Sequence, residues 1–199
     1  MAIATIKNIS VLVLDNEQKI ANLVKDVLVA LSFPDRLVFT ASDGYEGLEI
    51  LRKTPIDLII TDWELHPNEK YSKLVKSAII RTRWGDFPPT NGANFVDCLR
   101  TSSKSPNRFI PVIMLTGPTQ SNHIYYARDC GVNEILMKPI NAADLARRII
   151  AIADHPRDFI VSPNYRGPDR RRKVGNLPEG MEERRKVDMK IFKNTTIAS

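Results

Sequence analysis

The chain has 199 residues, 43% of them hydrophobic and 26% charged, enough for one domain and a substantial appendage. No apolar run approaches the roughly 18 residues of a membrane span, and the start, Met1 to Ser10, lacks the shape of a cleavable signal peptide. The net charge of +6 is concentrated at one end: from Arg157 onward 11 basic residues stand against 6 acidic ones, which leaves +1 for everything before them.

In chain order, short apolar runs alternate with helical patterns, the signal of a parallel α/β sheet with crossover helices. Ile9 to Leu14 reads as a strand buried on both faces. Ile20, Leu23, Val24, Val27, Leu28 and Leu31 recur at helical spacing, and Phe33-Pro34 stops that helix. Leu37 to Thr40 is a short second strand, Ser42 and Asp43 precede a second helix with Leu48 and Leu51, and Ile56 to Thr61 forms the third strand, ending at Asp62.

About twenty residues then break the rhythm, an insertion over 68–90. Tyr71, Leu74, Val75, Ala78 and Ile79 fall at i, i+3, i+4, i+7 and i+8, which predicts an amphipathic helix lined by Lys70, Lys73, Lys76, Arg81 and Arg83. Trp84 to Pro89 reads as a turn back to the main fold. Ala93 to Arg100 is helix, Val112 to Leu115 strand, Ser121 to Cys130 helix, Glu134 to Met137 strand and Asp144 to Ala153 the closing helix. Five strands and five principal helices predict a doubly wound parallel sandwich over residues 1–155, with ligands at the carboxyl ends of the strands. Cys98 and Cys130 match no metal-ligand spacing and read as buried thiols of a reducing compartment.

Four strand ends carry the chemistry: Leu14-Asp15-Asn16-Glu17, Thr61-Asp62-Trp63, Leu115-Thr116-Gly117 and Met137-Lys138-Pro139. A strand-end Asp alone commonly caps the next helix, and a lone Lys-Pro is commonly a turn. Four such residues, each at the end of its own strand, instead meet what phosphorylation of a carboxylate demands. Carboxylates suit a hard divalent cation such as Mg²⁺, and an ammonium and a hydroxyl can hold the remaining phosphoryl oxygens.

Val11-Leu-Val-Leu-Asp-Asn16, Asp57-Leu-Ile-Ile-Thr-Asp-Trp63, Pro111-Val-Ile-Met-Leu-Thr-Gly117 and Leu136-Met-Lys-Pro-Ile140 resemble the signature segments of CheY-like receiver domains. The resemblance covers about three quarters of the chain. It implies Asp62 as phosphoacceptor, Asp15, Asn16 and Asp62 as the Mg²⁺ site, Thr116 and Lys138 as phosphoryl-binding groups, and a histidine kinase or phosphotransfer protein as donor. Asn16 replaces the second acid usual in the family, which implies weaker Mg²⁺ and slower phosphorylation. Ile135 stands at the usual aromatic switch position, and the loop after Asp62 carries the insertion.

From Pro156 onward four prolines and three glycines break any periodicity, which predicts a tail over 156–199 that is disordered when free. It contains a near repeat: Asp169-Arg170-Arg171-Arg172-Lys173-Val174, then Glu183-Arg184-Arg185-Lys186-Val187-Asp188. An arginine fork can bond guanine O6 and N7, and a carboxylate can take the N1 and N2 protons, so Arg plus Asp reads both edges of one guanine. Arg185 to Asp188 also has the Arg-x-x-Asp spacing of cyclic di-GMP sites.

A receiver followed by Tyr165-Arg-Gly-Pro-Asp-Arg-Arg-Arg172 is similar to the Cle proteins, CheY-like effectors that bind cyclic di-GMP through a C-terminal arginine-rich segment. That resemblance implies cyclic di-GMP on Tyr165, Asp169, Arg170, Arg171, Arg172, Arg184, Arg185 and Asp188, and no catalytic turnover. It further implies a protein partner at the flagellar motor switch, control of motility and attachment, and a bacterial cytoplasmic protein recruited to motor or pole. Two other readings differ in class. A nucleic-acid regulator would grip phosphates with the basic tail, but no recognised DNA- or RNA-binding motif accompanies it. A plain receiver would relay or buffer phosphate and leave the tail inert.

Overall fold

The computed structural model describes residues 8–66, 91–117, 121–171 and 189–193, with short stretches of backbone at 81–82 and 85–86. Five strands, β1 (Val11–Leu14), β2 (Val38–Ala41), β3 (Leu58–Asp62), β4 (Val112–Thr116) and β5 (Glu134–Met137), form one parallel sheet in the order β2-β1-β3-β4-β5. The helices are α1 (Gln18–Ala30), α2 (Gly44–Lys53), α3 (Gly92–Thr101), α4 (Ser121–Cys130) and α5 (Ala142–Asp154). The expected doubly wound sandwich is observed, with element ends shifted by one or two residues.

Strand alternation sorts the core into two layers. Leu12, Leu14, Ile59 and Met114 face Leu48 and Leu51 of α2, Phe95 and Leu99 of α3, and Ala127 of α4. Val11, Val13, Ile60 and Leu115 face Ala21, Val24 and Leu28 of α1 and Leu145 and Ile149 of α5. Because both faces are covered, these strands are apolar throughout rather than alternating.

Side-chain caps fix where the helices begin. Asp43 accepts from Tyr45 N (2.8 Å) and Glu46 N (2.9 Å), while Glu46 reaches back to Ser42 N (2.8 Å), a reciprocal arrangement that satisfies otherwise orphaned amides. Asn91 caps α3 and Asn141 caps α5, each at 2.8 Å. Cys98 and Cys130 are buried thiols outside any disulfide, as their helical positions suggest, and burial pushes the Cys98 thiol up to about 11.

Two expectations are corrected. The amphipathic helix over Tyr71 to Ile79 lies outside the described residues, but Arg81, assigned to it by periodicity, stands in a small antiparallel ribbon, Arg81–Thr82 against Gly85–Asp86. The tail, expected to lack regular structure, begins as a hairpin of β6 (Phe159–Ser162) and β7 (Tyr165–Pro168). A third strand, β8 (Lys190–Phe192), pairs antiparallel with β6. The physical reason is burial. Phe159 and Ile160 sit in the core, and Phe159 meets Phe109 edge-on at 4.8 Å, with Phe192 tilted against Phe109 at 5.5 Å.

Candidate functional site

The carboxyl ends of four adjacent strands deliver the predicted acid pocket. Asp15 follows β1, Asp62 ends β3, Thr116 ends β4 and Lys138 follows β5. Asp15 is 1% exposed and Asp62 6%, so both carboxylates are largely withdrawn from water. Lys138 Nζ lies 2.9 Å from Asp62 Oδ1 and 3.2 Å from Asp15 Oδ2, so one ammonium bridges two acids that would otherwise repel. The backbone locks the bridge in place: Lys138 N donates to Thr116 O at 2.7 Å, and Trp63 N to Leu115 O at 2.9 Å. Glu17 N donates to the other oxygen of Asp15, Oδ1, at 2.9 Å.

Burial raises the Asp62 carboxyl above its ordinary value, and the hydrogen bond and charge of Lys138 only partly oppose it. For Lys138, burial pulls downward, but Asp62 and Asp15 together outweigh it and the ammonium is held more tightly than usual. Two carboxylates against one ammonium leave a net negative pocket that still attracts a cation. Its oxygen donors are the kind a hard divalent ion takes, and Asn16 is exposed beside it with an amide oxygen to offer. Thr116 is buried at the rim, on the strand that pairs with both β3 and β5.

Gly92 was not foreseen as part of this pocket. A Cβ there would meet the Asp62 carbonyl oxygen at 2.0 Å, and Gly92 N donates to Trp63 O at 2.7 Å. Only glycine lets α3 start this close to β3. Gly92→Ala should therefore shift the Asp62 backbone and lower phosphoryl uptake from a small-molecule phosphodonor at least tenfold, read as a single-turnover rate.

No family model matches the chain. Over 143 residues, 72% of this chain and 90% of the relative, it is 25% identical to the chemotaxis protein CheY-3 of Vibrio cholerae. The structure of CheY4 from Vibrio cholerae superposes with a TM-score of 0.53 at 26% identity, covering 72% of this chain and 98% of that one. The chain has the fold of CheY-like response-regulator receiver domains and resembles them in sequence over about 70% of its length. The receiver domain of sensor histidine kinase PA1611 from Pseudomonas aeruginosa, with a magnesium ion in its active-site cleft, shares the fold (TM-score 0.51, 19% identity, 71% and 93% coverage).

The hairpin docks at the opposite end of the receiver, where α3 and α4 finish and β5 begins. Gly131, at φ 96°, lies against β7: a Cβ there would meet Arg166 O at 2.7 Å, and one on Gly167 would meet Gly131 Cα at 2.7 Å. Arg166 Nη1 donates to Thr101 O at 3.1 Å. Arg157 donates to the Asn133 carbonyl and pairs with Glu134, which also takes Arg148 at 2.8 Å.

Four of the eight residues expected to bind nucleotide are described: Tyr165, Asp169 and Arg170 line one cavity, whereas Arg171 lines another with His155 and Arg157. The Arg170 guanidinium stacks over the Tyr165 ring at 3.9 Å and pairs with Asp129 of α4 at 3.1 Å. Arg171 pairs with Asp169 at 2.9 Å. Tyr165 Oη donates to Pro168 O at 2.6 Å, and burial raises its hydroxyl pKa against the pull of Arg170 and other nearby arginines. A cavity of ≈350 Å³ is lined by Tyr165, Asp169, Arg170 and Met189, so the point where the chain leaves the hairpin and the point where it returns share one hollow. Arg172, Arg184, Arg185 and Asp188 lie outside the described residues. Asp129 carried no signal in sequence, since its place opposite Arg170 depends on how the hairpin docks.

Proposed function

We propose that the chain is a signalling adaptor in which the receiver carries an arginine-rich segment that binds cyclic di-GMP, and that the liganded protein engages a partner, the flagellar motor switch, to control motility and attachment. The observation that carries this reading is the cavity at Tyr165, Asp169 and Arg170, which Met189 also lines. The second acid-Arg-Arg-Lys-Val cassette lies between Arg171 and Met189 in sequence, and Arg170 and Met189 line the same cavity. A planar aromatic, a guanidinium and carboxylates at one place are the groups that stack on a guanine and read its edges. Exposed Ile124 and Tyr125 on α4 and Met137 at the end of β5 offer apolar surface to a protein partner.

Asp62 is the group we assign to accept a phosphoryl group from a histidine kinase or phosphotransfer protein. A carboxylate oxygen forms the new O–P bond as the donor's P–N bond breaks, and Lys138 and Thr116 hold the transferred oxygens. Asp15, Asp62 and Asn16 would hold Mg²⁺, whose charge would offset that of a phosphoryl group on Asp62. The product is a modified protein, and no substrate is turned over.

Calorimetric titration of cyclic di-GMP into the full chain tests the nucleotide reading. Binding at micromolar affinity or tighter is expected, with at least a hundredfold loss when Arg170, Arg171, Arg184 and Arg185 are all changed to Ala, and none for GTP or a short oligonucleotide. The pairing of Arg170 with Asp129 and of Arg171 with Asp169 favours a second reading, a receiver that handles phosphate alone. Absence of binding at moderate salt would select it.

A further inference from the structure

Arg170 occupies a site whose shape and polarity suit a different planar group. Its guanidinium lies on the Tyr165 ring at 3.9 Å and forms an ion pair with the Asp129 carboxylate, Nη2 standing 3.1 Å from Oδ1. A guanine base makes the same two contacts. It stacks by its face, and its N1–H and N2–H donors form a parallel pair that a carboxylate accepts.

The fit of Arg170 is incomplete, since its Nε is buried with no hydrogen-bond partner. A second cavity, of ≈290 Å³, is lined by Asp129 and shares Pro163, Asn164 and Tyr165 with the first. Asp97 and Arg166 also line it. Arg128 approaches the same Asp129 oxygen only to 3.5 Å and is the weaker competitor.

We infer that Tyr165 and Asp129 form a guanine seat, with Asp129 on the receiver itself as the carboxylate that reads the base, and that Arg170 fills this seat as an internal stand-in until the ligand displaces it. The inference rests on the nucleotide reading above and adds to it a specificity-determining residue that lies outside the arginine-rich segment. Displacement leaves Arg170 free to take a phosphate oxygen or the O6 and N7 edge of the base. The receiver thereby becomes part of the binding site rather than a passive carrier of the tail.

Asp129→Asn tests this with two ligands, cyclic di-GMP and cyclic di-AMP, titrated into the full chain. Adenine presents an acceptor where guanine presents N1–H, so a carboxylate favours guanine and an amide discriminates little. The wild type should prefer cyclic di-GMP, and Asp129→Asn should cut the ratio of the two affinities by about tenfold or more, the effect of losing one paired base contact. Cyclic di-AMP affinity should hold or rise, because Arg170 is released to bind phosphate. The side chain is partly exposed, so the fold should tolerate the change, and an unaltered melting temperature checks this. An unchanged ratio with tight wild-type cyclic di-GMP binding would overturn the seat while leaving the nucleotide reading intact. Failure of the wild type to bind either ligand would overturn both.

Discussion

Asp62→Asn should take up no phosphoryl group from acetyl phosphate or phosphoramidate under Mg²⁺ conditions in which the wild type is labelled. The size of the effect follows from the pocket. Asp62 is the carboxylate at the strand end between the flanking Asp15 and Lys138, and the amide of Asn cannot form the acyl phosphate. Asp15 is held by the Glu17 amide on one oxygen and by Lys138 on the other, which ties it to a supporting place. Intact-mass spectrometry reads the outcome directly as an added phosphoryl group. Equal labelling of wild type and Asp62→Asn would move the acceptor elsewhere and remove the phosphoryl roles of Lys138 and Thr116 with it.

Arg100→Ala should cost about 3–5 kcal/mol of stability, read from the urea midpoint, because it empties a fully buried cation site. The guanidinium donates to Gly131 O at 3.1 Å and Arg108 O at 2.6 Å, with a long contact to Asn133 Oδ1 at 3.5 Å. It also faces the Phe159 ring at 5.6 Å. Burial pushes its pKa down to about 10, so it remains charged at neutral pH and the carbonyls must solvate it. Truncation strands those carbonyls, opens a void under Phe159 and loosens the hairpin together with the receiver. Lysine, which lacks the planar fork, should rescue little. A loss under 1 kcal/mol would mean that the hairpin docks independently of Arg100.

The difference between what sequence revealed and what it hid is a difference in locality. Asp15, Asp62, Thr116 and Lys138 each follow an apolar run, and parallel topology alone then gathers them. Gly92, Gly131, Arg100 and Asp129 matter because distant segments approach them, and nothing in their own neighbourhoods announces this. The hairpin, by contrast, is written locally. Phe159-Ile-Val-Ser, Pro163-Asn164 and Tyr165-Arg-Gly-Pro form two short runs around a two-residue turn, a legible hairpin signal. Prolines and glycines around it break longer periodicities, and one of them, Pro163, marks the turn itself.

The pairing of β8 with β6 has a thermodynamic consequence for the cassette between Arg171 and Met189. A segment tethered at one end must close a loop before its distal arginines can share a ligand with Arg170 and Arg171. For seventeen residues the length-dependent part of that closure is about 2.5 kcal/mol. Here the closure is completed by strand pairing and by the Phe109, Phe159 and Phe192 rings, within the folding of the protein itself. On the nucleotide reading proposed above, a ligand would meet a second set of arginines in a segment joined to the fold at both ends rather than at one.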